Sequence, residues 1–221
     1  MTEIVSLREA VAGLVHDGEC VAMEGFTHLI PSAAGHEVIR QCRNAYVAGA
    51  ANLPFSVLRG YQGSDLPRHN TNIRFIRCPF TNEELAVSPA IRPDVTIIHA
   101  QKADRRGNVL LWGILGVQKE AAMAAKRVIV TVEQIVDRLD APPNACILPR
   151  AVVSAVCLQP GGAFPSYAHG YYARDNRFYI AWDDIARDRE VFKAWMQRHV
   201  LDTADFDEFR RVLAETTGAS A

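Results

Sequence analysis

The sequence predicts an α/β domain built on an open, mostly parallel sheet with helices on both faces. Apolar stretches that read as strands alternate with stretches of helical spacing. The clearest strand, residues 94–99, is a continuous β-branched run, which is typical of a strand covered on both faces in a parallel sheet. The chain has 221 residues with 49% hydrophobic and 22% charged content, as expected for a globular protein.

The first half of the chain is predicted to alternate helices and strands. Apolar residues at helical spacing indicate a helix over 3–15. A short strand at 20–23 runs into a glycine-containing turn at 24–27, and a proline suits the first turn of the next helix, over 33–41. The following elements are a helix over 44–51, a strand over 55–58, a polar loop over 59–72 and a strand over 73–76.

The second half continues the alternation. The elements after the strand at 94–99 are a turn over 102–108, an apolar segment over 109–117, a helix over 118–125, a strand over 127–132, an apolar segment over 151–157, an aromatic loop over 160–172 and two surface helices within 183–215. The sequence shows no internal repeat, low-complexity tract or linker. We therefore expect a single domain over residues 1–221.

Composition excludes several classes of function. The 24 basic residues are balanced by 25 acidic ones, which argues against nucleic acid or an anionic membrane as a partner. The five cysteines lack the spacing of a zinc site, so we expect no metal and a reducing compartment. No signal peptide and no apolar run of about 20 residues is present, and we expect a soluble, cytoplasmic protein.

The common nucleotide-binding and serine-nucleophile motifs are absent, so candidate residues come from loops that follow strands. In the turn Glu24-Gly25-Phe26-Thr27, the backbone N–H groups of the last three residues could face an oxyanion, although an ordinary turn has the same pattern. His99 ends the clearest strand and is either a pocket residue or a buried, hydrogen-bonded histidine. Asp104, Gly107 and Asn108 form the next turn. The loop over 160–172 lines a pocket, forms a subunit interface or packs on the fold.

Several of these segments resemble the A (alpha) subunits of class I coenzyme A transferases, closest to the glutaconate CoA-transferase type. The matching stretches are 21–31, 93–108, with its Ala-Asp-x-x-Gly-Asn turn, 125–133, with Lys-Arg-Val-Ile-Val-Thr-Val-Glu, 148–150 and 160–163. The resemblance covers nearly the whole chain up to the C-terminal helices.

The resemblance implies one subunit of a heteromeric enzyme that moves CoA between an acyl-CoA and a small carboxylic or dicarboxylic acid. A glutamate of the B subunit would form a glutamyl-CoA thioester, so no catalytic residue is expected in this chain. Coenzyme A would be a substrate, with no permanently bound cofactor. By position, Gly25, Phe26 and Thr27 would line the substrate and oxyanion pocket. Residues at the pocket or the subunit interface would be Glu24, His99, Asp104, Gly107 and Asn108.

Two alternatives remain open beside the transferase. Some proteins of this fold are A subunits of CoA-ester ring-opening hydrolases, and Arg174-Asp175 resembles a pair that they carry. The third hypothesis is a non-catalytic binding or scaffold subunit.

Relatives carry several tens of residues where this chain passes directly from Arg43 to Asn44. We favour a segment absent from the given sequence over a true deletion, because losing central strands would leave backbone groups unpaired.

Overall fold

The computed structural model describes residues 2–23 and 45–217, and the chain divides into two compact units between Pro160 and Gly161. The strands of the first unit are β1 (Glu3–Ile4), β2 (Val21–Met23), β3 (Phe55–Leu58), β4 (Arg74–Arg77), β5 (Glu84–Pro89), β6 (Val95–Asp104), β7 (Val109–Leu111), β8 (Arg127–Val136), β9 (Cys146–Leu148) and β10 (Ala155–Leu158). Its helices are α1 (Leu7–Leu14), α2 (45–50), α3 (Leu66–His69) and α4 (Gln118–Ala124). The second unit contains α5 (Asn176–Arg187), α6 (Arg189–Met196), a π-helical turn (Gln197–Leu201) and α7 (Phe206–Thr217).

A seven-stranded sheet is organised around β6 and β8, which run parallel over their full length. Strand β10 pairs with the outer edge of β8, and β1 pairs with β10, both in parallel. The other edge of β6 is shared by β2, which is parallel, and by β7, which is antiparallel and pairs in turn with β9. The predicted mostly parallel α/β sheet is therefore confirmed.

Helices cover both faces of this sheet. On one face Ala10 of α1 packs with Val95 and Ile129. On the other face Ala122 of α4 belongs to the larger buried cluster, which includes Ile98. The positions of β6 that face the two helices alternate, as expected for a strand buried on both sides.

The ladder between β6 and β8 is interrupted at one position, where Gln101 lies opposite Glu133. Ile98 and Ala100 before this position and Ala103 after it belong to the same buried cluster. Regular alternation would place Ala100 and Ala103 on opposite faces of the sheet. We therefore infer that the side chains of β6 change faces at Gln101. The side chains of Gln101 and Glu133, which are both polar and buried, lie at this position.

The boundaries of two elements differ from the sequence prediction for local reasons. Helix α1 begins at Leu7 instead of residue 3, because Ser6 caps it: the Glu9 backbone N–H donates to Ser6 Oγ (3.2 Å) and the Ser6 N–H donates to Glu9 Oε2 (2.9 Å). The residues before the cap form β1. Strand β6 continues through Asp104, since its polar end pairs with β7 and β8.

Several parts of the fold were not predicted, among them β9 and the short helix α3, which lies in a stretch predicted to be a loop. Strands β3, β5 and β4 form a separate antiparallel sheet, and β5 was absent from the sequence prediction. In the second unit, three α-helices replace the two predicted ones. The first of them, α5, begins at Asn176 and is capped by Asp175. Their aromatic side chains pack together, with the rings of Trp182 and Trp195 4.9 Å apart. The helix predicted over 33–41 lies outside the described residues.

No helix in the described part of the chain is both long and apolar enough to cross a membrane.

The turn between β6 and β7 fits tightly against the N-terminal segment. Gly107 has a φ of +88°, and a Cβ at this position would lie 2.5 Å from Cβ of Thr2. Thr2 is itself fixed, because its Oγ1 lies 2.7 Å from the carbonyl oxygen of Arg150 and 2.8 Å from that of Val153. A side chain at position 107 would therefore meet a neighbour that cannot easily move.

We predict that Gly107→Ala lowers the free energy of unfolding by more than Gly18→Ala does. Gly18 also has a positive φ, of +81°, but nothing lies within 4 Å of an added Cβ there. Both variants carry the cost of a left-handed backbone, about 1–2 kcal/mol, and only Gly107→Ala adds the clash with Thr2. Urea titration of both variants measures the difference, and equal losses would contradict the packing described here.

Candidate functional site

A buried cluster of three polar side chains lies on the central strands. His99 Nε2 is 2.7 Å from Glu133 Oε1, and His99 Nδ1 is 2.8 Å from Thr131 Oγ1. Thr131 and Glu133 are buried, and only 16% of the His99 side chain is exposed. Such groups are stable inside a protein only when they are hydrogen-bonded, and here each one has a partner.

The register of the sheet brings these side chains together. His99 of β6 is paired with Thr131 of β8, and Glu133 follows two residues later on the same face. Helix α1 covers this face nearer the amino ends of the strands, at Val95 and Ile129. The cluster lies beyond that covered region, at the middle of β6 and β8 and near the level where β2 and β10 end, at Met23 and Leu158. Carboxyl ends of parallel strands are where ligands bind in open α/β sheets.

Burial determines the charge state of His99. It lowers the pKa of His99 below the ordinary value of 6.5, and the hydrogen bond and charge of Glu133 oppose that shift only in part. The imidazole is therefore neutral at pH 7. The distances fit an Nε2–H that donates to the Glu133 carboxylate and an Nδ1 that accepts the Thr131 hydroxyl proton. In this state the cluster holds one proton between an imidazole and a carboxylate and can relay it or orient a ligand.

Gln101 extends the buried polar face. Its Nε2 donates to the carbonyl oxygen of Trp112 (2.9 Å), and its Oε1 accepts from the Trp112 backbone N–H (3.2 Å). The side-chain amide thus takes the place of a missing strand partner where β6 turns over. The ammonium group of Lys102 lies 5.9 Å from the centre of the Trp112 ring.

The turn after β6 is held by Asp104. Its Oδ1 accepts from the backbone N–H groups of Arg106 and Asn108, both at 2.9 Å, and its Oδ2 accepts from Asn108 Nδ2 at 2.7 Å. Asn108 Oδ1 then accepts from the Arg150 N–H (3.0 Å), which joins this turn to the segment after β9. Burial would raise the pKa of Asp104, but the hydrogen bonds from Asn108 and Arg106 outweigh it and hold the pKa below its usual value. Asp104, Gly107 and Asn108 therefore build a turn, whereas His99 belongs to the buried cluster.

The first predicted pocket segment, from Glu24 through Gly25 and Phe26 to Thr27, lies outside the described residues. It follows β2 directly, and Met23, the last residue of β2, is in register with Ile97 of β6. Its role at a pocket stays a prediction, as do the pocket or interface roles of His99, Asp104, Gly107 and Asn108.

Sequence reasoning found His99 but missed Thr131 and Glu133 as site residues. The signal was present, because Thr131 and Glu133 interrupt an apolar strand at a spacing of two and must share one face. In the sequence analysis, Thr131 and Glu133 were noted only as part of a stretch that resembles the family. They were not recognised as side chains that would lie beside His99. Within residues 2–23 and 45–217, no group of three or more histidine, cysteine, aspartate or glutamate side chains could hold a metal ion.

Comparison with known proteins identifies relatives along nearly the whole chain. A family model described as coenzyme A transferase matches residues 42–159. The chain is 52% identical to the A-type chain of the 3-oxoadipate CoA-transferase of Pseudomonas knackmussii, in an alignment that covers 97% of this chain and 99% of that protein. It is 26% identical over 188 residues to the IpdA subunit of a cholesterol ring-cleaving hydrolase of Rhodococcus jostii, with 78% of this chain and 64% of that protein covered.

Among solved structures, that of glutaconate coenzyme A-transferase from Acidaminococcus fermentans is similar to this chain with a TM-score of 0.83 and 26% sequence identity. The match covers 97% of this chain and 94% of that one.

The alignment with the Pseudomonas protein is 280 residues long, more than the 221 residues of this chain. That relative therefore carries residues that have no counterpart here. Their location between Arg43 and Asn44 stays a prediction, because both residues lie outside the described ones.

We predict that the stability of the protein depends on pH through His99. Folding lowers the pKa of His99, so at mildly acidic pH the unfolded chain binds a proton on this side chain that the folded chain does not bind. The free energy of unfolding should therefore fall as the pH drops below about 6.5, with a slope of at most about 1.4 kcal/mol per pH unit from this group. His99→Gln, which keeps a donor for Glu133, should remove this component. His69→Gln, at an exposed position, should leave it unchanged. Denaturant unfolding between pH 5 and 8 measures the slope, and an unaltered slope in His99→Gln would exclude His99 as its source.

We predict that Asp104→Asn destabilises the protein by about 1–3 kcal/mol. The asparagine side chain has one N–H₂ group in place of a carboxylate oxygen. It could not accept all of the hydrogen bonds that the backbone and side-chain N–H groups of Asn108 now donate to Asp104. Asp137→Asn is the control, because Asp137 forms an exposed ion pair with Arg105 (2.7 Å) and should change stability by less than about 0.5 kcal/mol. Thermal or urea unfolding compares the two variants, and similar losses would contradict a special role for the Asp104 turn.

Proposed function

The chain belongs to the coenzyme A transferase family as an A-type subunit, and from that premise we propose that its enzyme transfers CoA to 3-oxoadipate or a similar short dicarboxylic acid. The observation that carries this proposal is the 52% identity to the A-type chain of a 3-oxoadipate CoA-transferase, which extends over 99% of that protein. Identity at this level along the whole chain supports a similar acid substrate, whereas the fold alone would not.

The proposed reaction is completed by a B subunit that carries the glutamate nucleophile. The glutamate carboxylate attacks the acyl-CoA carbonyl and expels the CoA thiolate, which leaves a mixed anhydride. The thiolate then attacks the glutamyl carbonyl and releases the donor acid as a carboxylate. The acceptor acid takes the reverse route, so CoA leaves on a new acyl group. Each step exchanges one carboxylate or thiolate for another, and no resident cofactor is needed.

This chain would provide one wall of the pocket. The backbone N–H groups of Gly25, Phe26 and Thr27 are proposed to face the oxyanion that forms at each attack. Met23, just before this segment, is in register with Ile97, two residues ahead of His99. We propose that His99 orients Glu133 at the same pocket or at the subunit interface. A location of the enzyme in the cytoplasm stays a prediction from the sequence.

A CoA-ester ring-opening hydrolase is the second candidate. The observation that favours it is the similarity to the A-type subunit of the Rhodococcus hydrolase, over 78% of this chain. At 26% identity this relationship is more distant than that to the Pseudomonas transferase chain, which is why we place it second.

We predict that this chain, purified together with its B subunit, transfers CoA from an acyl-CoA such as succinyl-CoA to 3-oxoadipate. Formation of 3-oxoadipyl-CoA is measured by chromatography, with glutaconate and acetate as competing acceptors. Neither chain by itself should be active, because the nucleophile and the proposed oxyanion pocket lie on different chains. A preference for acetate over both dicarboxylic acids would contradict the proposed substrate class.

The covalent intermediate separates the transferase from the hydrolase. Incubation with acyl-CoA in the absence of an acceptor should leave a glutamyl thioester on the B subunit, which hydroxylamine converts to a hydroxamate that mass spectrometry locates. Release of free acid and CoA, with no trapped adduct and no acyl exchange, would favour the hydrolase. Unaltered activity of the B subunit without this chain would leave a scaffold role and overturn the proposal.

A further inference from the structure

Lys102 is an unusual residue for a central strand of the sheet. Its backbone is held on both edges of β6, because it is paired with Leu110 of β7 and with Gln134 of β8. Its side chain is only partly exposed. Lysine side chains are seldom buried in proteins unless an opposite charge accompanies them. The position therefore raises the question of which anion balances the ammonium group.

No carboxylate in the described part of the chain forms an ion pair with Lys102. Two acidic side chains lie near it in the sheet, and both already have other partners. Asp104 accepts the three hydrogen bonds of its own turn, and Glu133 Oε1 lies 2.7 Å from His99 Nε2. The ammonium group is therefore available to an anion from outside the described chain.

The ammonium group lies against an aromatic ring whose backbone is fixed. Its nitrogen is 5.9 Å from the centre of the Trp112 ring, a distance at which the two attract each other without neutralising the charge. Gln101 holds the backbone of Trp112 through two hydrogen bonds, of 2.9 and 3.2 Å. The ring thus provides a positioned surface for the lysine side chain, and less freedom is lost when an anion binds.

The side chain of Lys102 projects from the same face of the sheet as that of His99. Ile98 and Ala100, the two neighbours of His99, belong to the buried cluster on the α4 face, and so does Ala103, which follows Lys102. Successive side chains of a strand point to opposite faces, so His99 and Lys102 both project from the other face. This is the face on which the cluster of His99, Thr131 and Glu133 lies.

The spacing along β6 matches the length of a short dicarboxylic acid. His99 and Lys102 are three residues apart in the sequence, or about 10 Å along a strand. The two carboxylate carbons of an extended six-carbon dicarboxylic acid are about 6 Å apart, and a hydrogen bond of about 3 Å at each end extends this reach to about 12 Å. An acid whose reacting end lies at the level of His99 would therefore bring its other end to Lys102.

We propose that Lys102 determines the specificity for a dicarboxylic acid, by binding the carboxylate that does not receive CoA. This inference rests on the proposed transfer to 3-oxoadipate or a similar short dicarboxylic acid. An ionised carboxylate and a partly buried ammonium group form a strong, charge-assisted hydrogen bond. An acid with a methyl group at that end would exclude water from the ammonium group without replacing the lost hydrogen bonds, and the site would discriminate against it.

Steady-state kinetics of the enzyme assembled with its B subunit test this inference. The two acceptors are 3-oxoadipate and 3-oxohexanoate, which share a carbon chain and differ in that a methyl group replaces the second carboxylate. The value of kcat/KM for the acceptor reports only the half-reaction in which the acid takes CoA, so succinyl-CoA is the donor for both. The ratio of the two kcat/KM values measures the preference for a dicarboxylic acid.

Lys102→Met should lower this ratio about tenfold or more, because the side chain keeps its length and loses its charge. The loss should lie in KM for 3-oxoadipate, since the second carboxylate is bound equally before and during the reaction. Lys102→Gln should have the same effect, whereas Lys102→Arg keeps the charge and should retain most of the ratio. Lys119→Met is the matched control. Lys119 is an exposed lysine of α4, which covers the opposite face of the sheet, and its loss should leave the ratio unchanged.

The outcomes separate this inference from the function on which it rests. A wild-type enzyme that prefers 3-oxoadipate, with folded Lys102→Met and Lys102→Gln variants that keep this preference, would overturn the role of Lys102 alone. A wild-type enzyme without the preference would overturn both proposals. Equal losses for the two acids, or variants that no longer assemble with the B subunit in size-exclusion chromatography, would place Lys102 at the subunit interface and overturn its role in specificity. Circular dichroism shows which variants fold.

Discussion

The parallel pairing of β6 with β8 is the interaction on which the rest of the first unit depends. The two ten-residue strands are in register from Val95 and Arg127 to Asp104 and Val136. Every other strand of the seven-stranded sheet attaches to this pair directly or through one neighbour. Because both faces of the pair are covered by helices, a slip of one residue would exchange the two buried faces, and the register is therefore strongly specified.

The same pairing places polar groups where an apolar sheet would not hold them. His99, Thr131 and Glu133 share one face only because the register puts His99 opposite Thr131. Their burial is tolerated since each has a hydrogen-bond partner, and the loss of one partner would leave another buried and unsatisfied. The cluster lies near the level where β2 ends, since Met23 is in register with Ile97, two residues before His99. The site proposed for CoA transfer thus depends on the register as much as on the identity of its side chains.

The sequence predicted the parts of the fold in which one local signal dominates. The β-branched residues from 94 to 98 predicted the start of β6 because a continuous apolar run has few other uses in a globular chain. The polar end of the same strand, through Lys102 and Asp104, resembled a turn. It forms a strand because β7 and β8 supply partners on both edges, which is information from distant residues. Ser6 and Glu9 carried a local capping signal that fixes the start of α1, and the periodicity of the apolar residues obscured it.

The candidate site was harder to predict for a related reason. Thr131 and Glu133 are 32 and 34 residues after His99 in the sequence. Their proximity can be predicted only if the register between the two strands is known. The Asp104–Asn108 turn shows the converse case, since its residues were singled out as a possible pocket through a family motif. Their observed bonds hold a turn and join it to Arg150.

The motif from Asp104 to Asn108 holds a turn of the scaffold, and a residue that builds the scaffold need not touch the substrate. In the proposed enzyme the nucleophile would lie on the B subunit, and the residues of this chain that contact the acid substrate would face that partner. The hydrogen bonds of this turn also fix the backbone of Arg106 through Asp104 and the backbone of Arg150 through Asn108. The turn therefore joins two chain segments that are distant in the sequence, and this structural role does not require any of its side chains to contact a ligand.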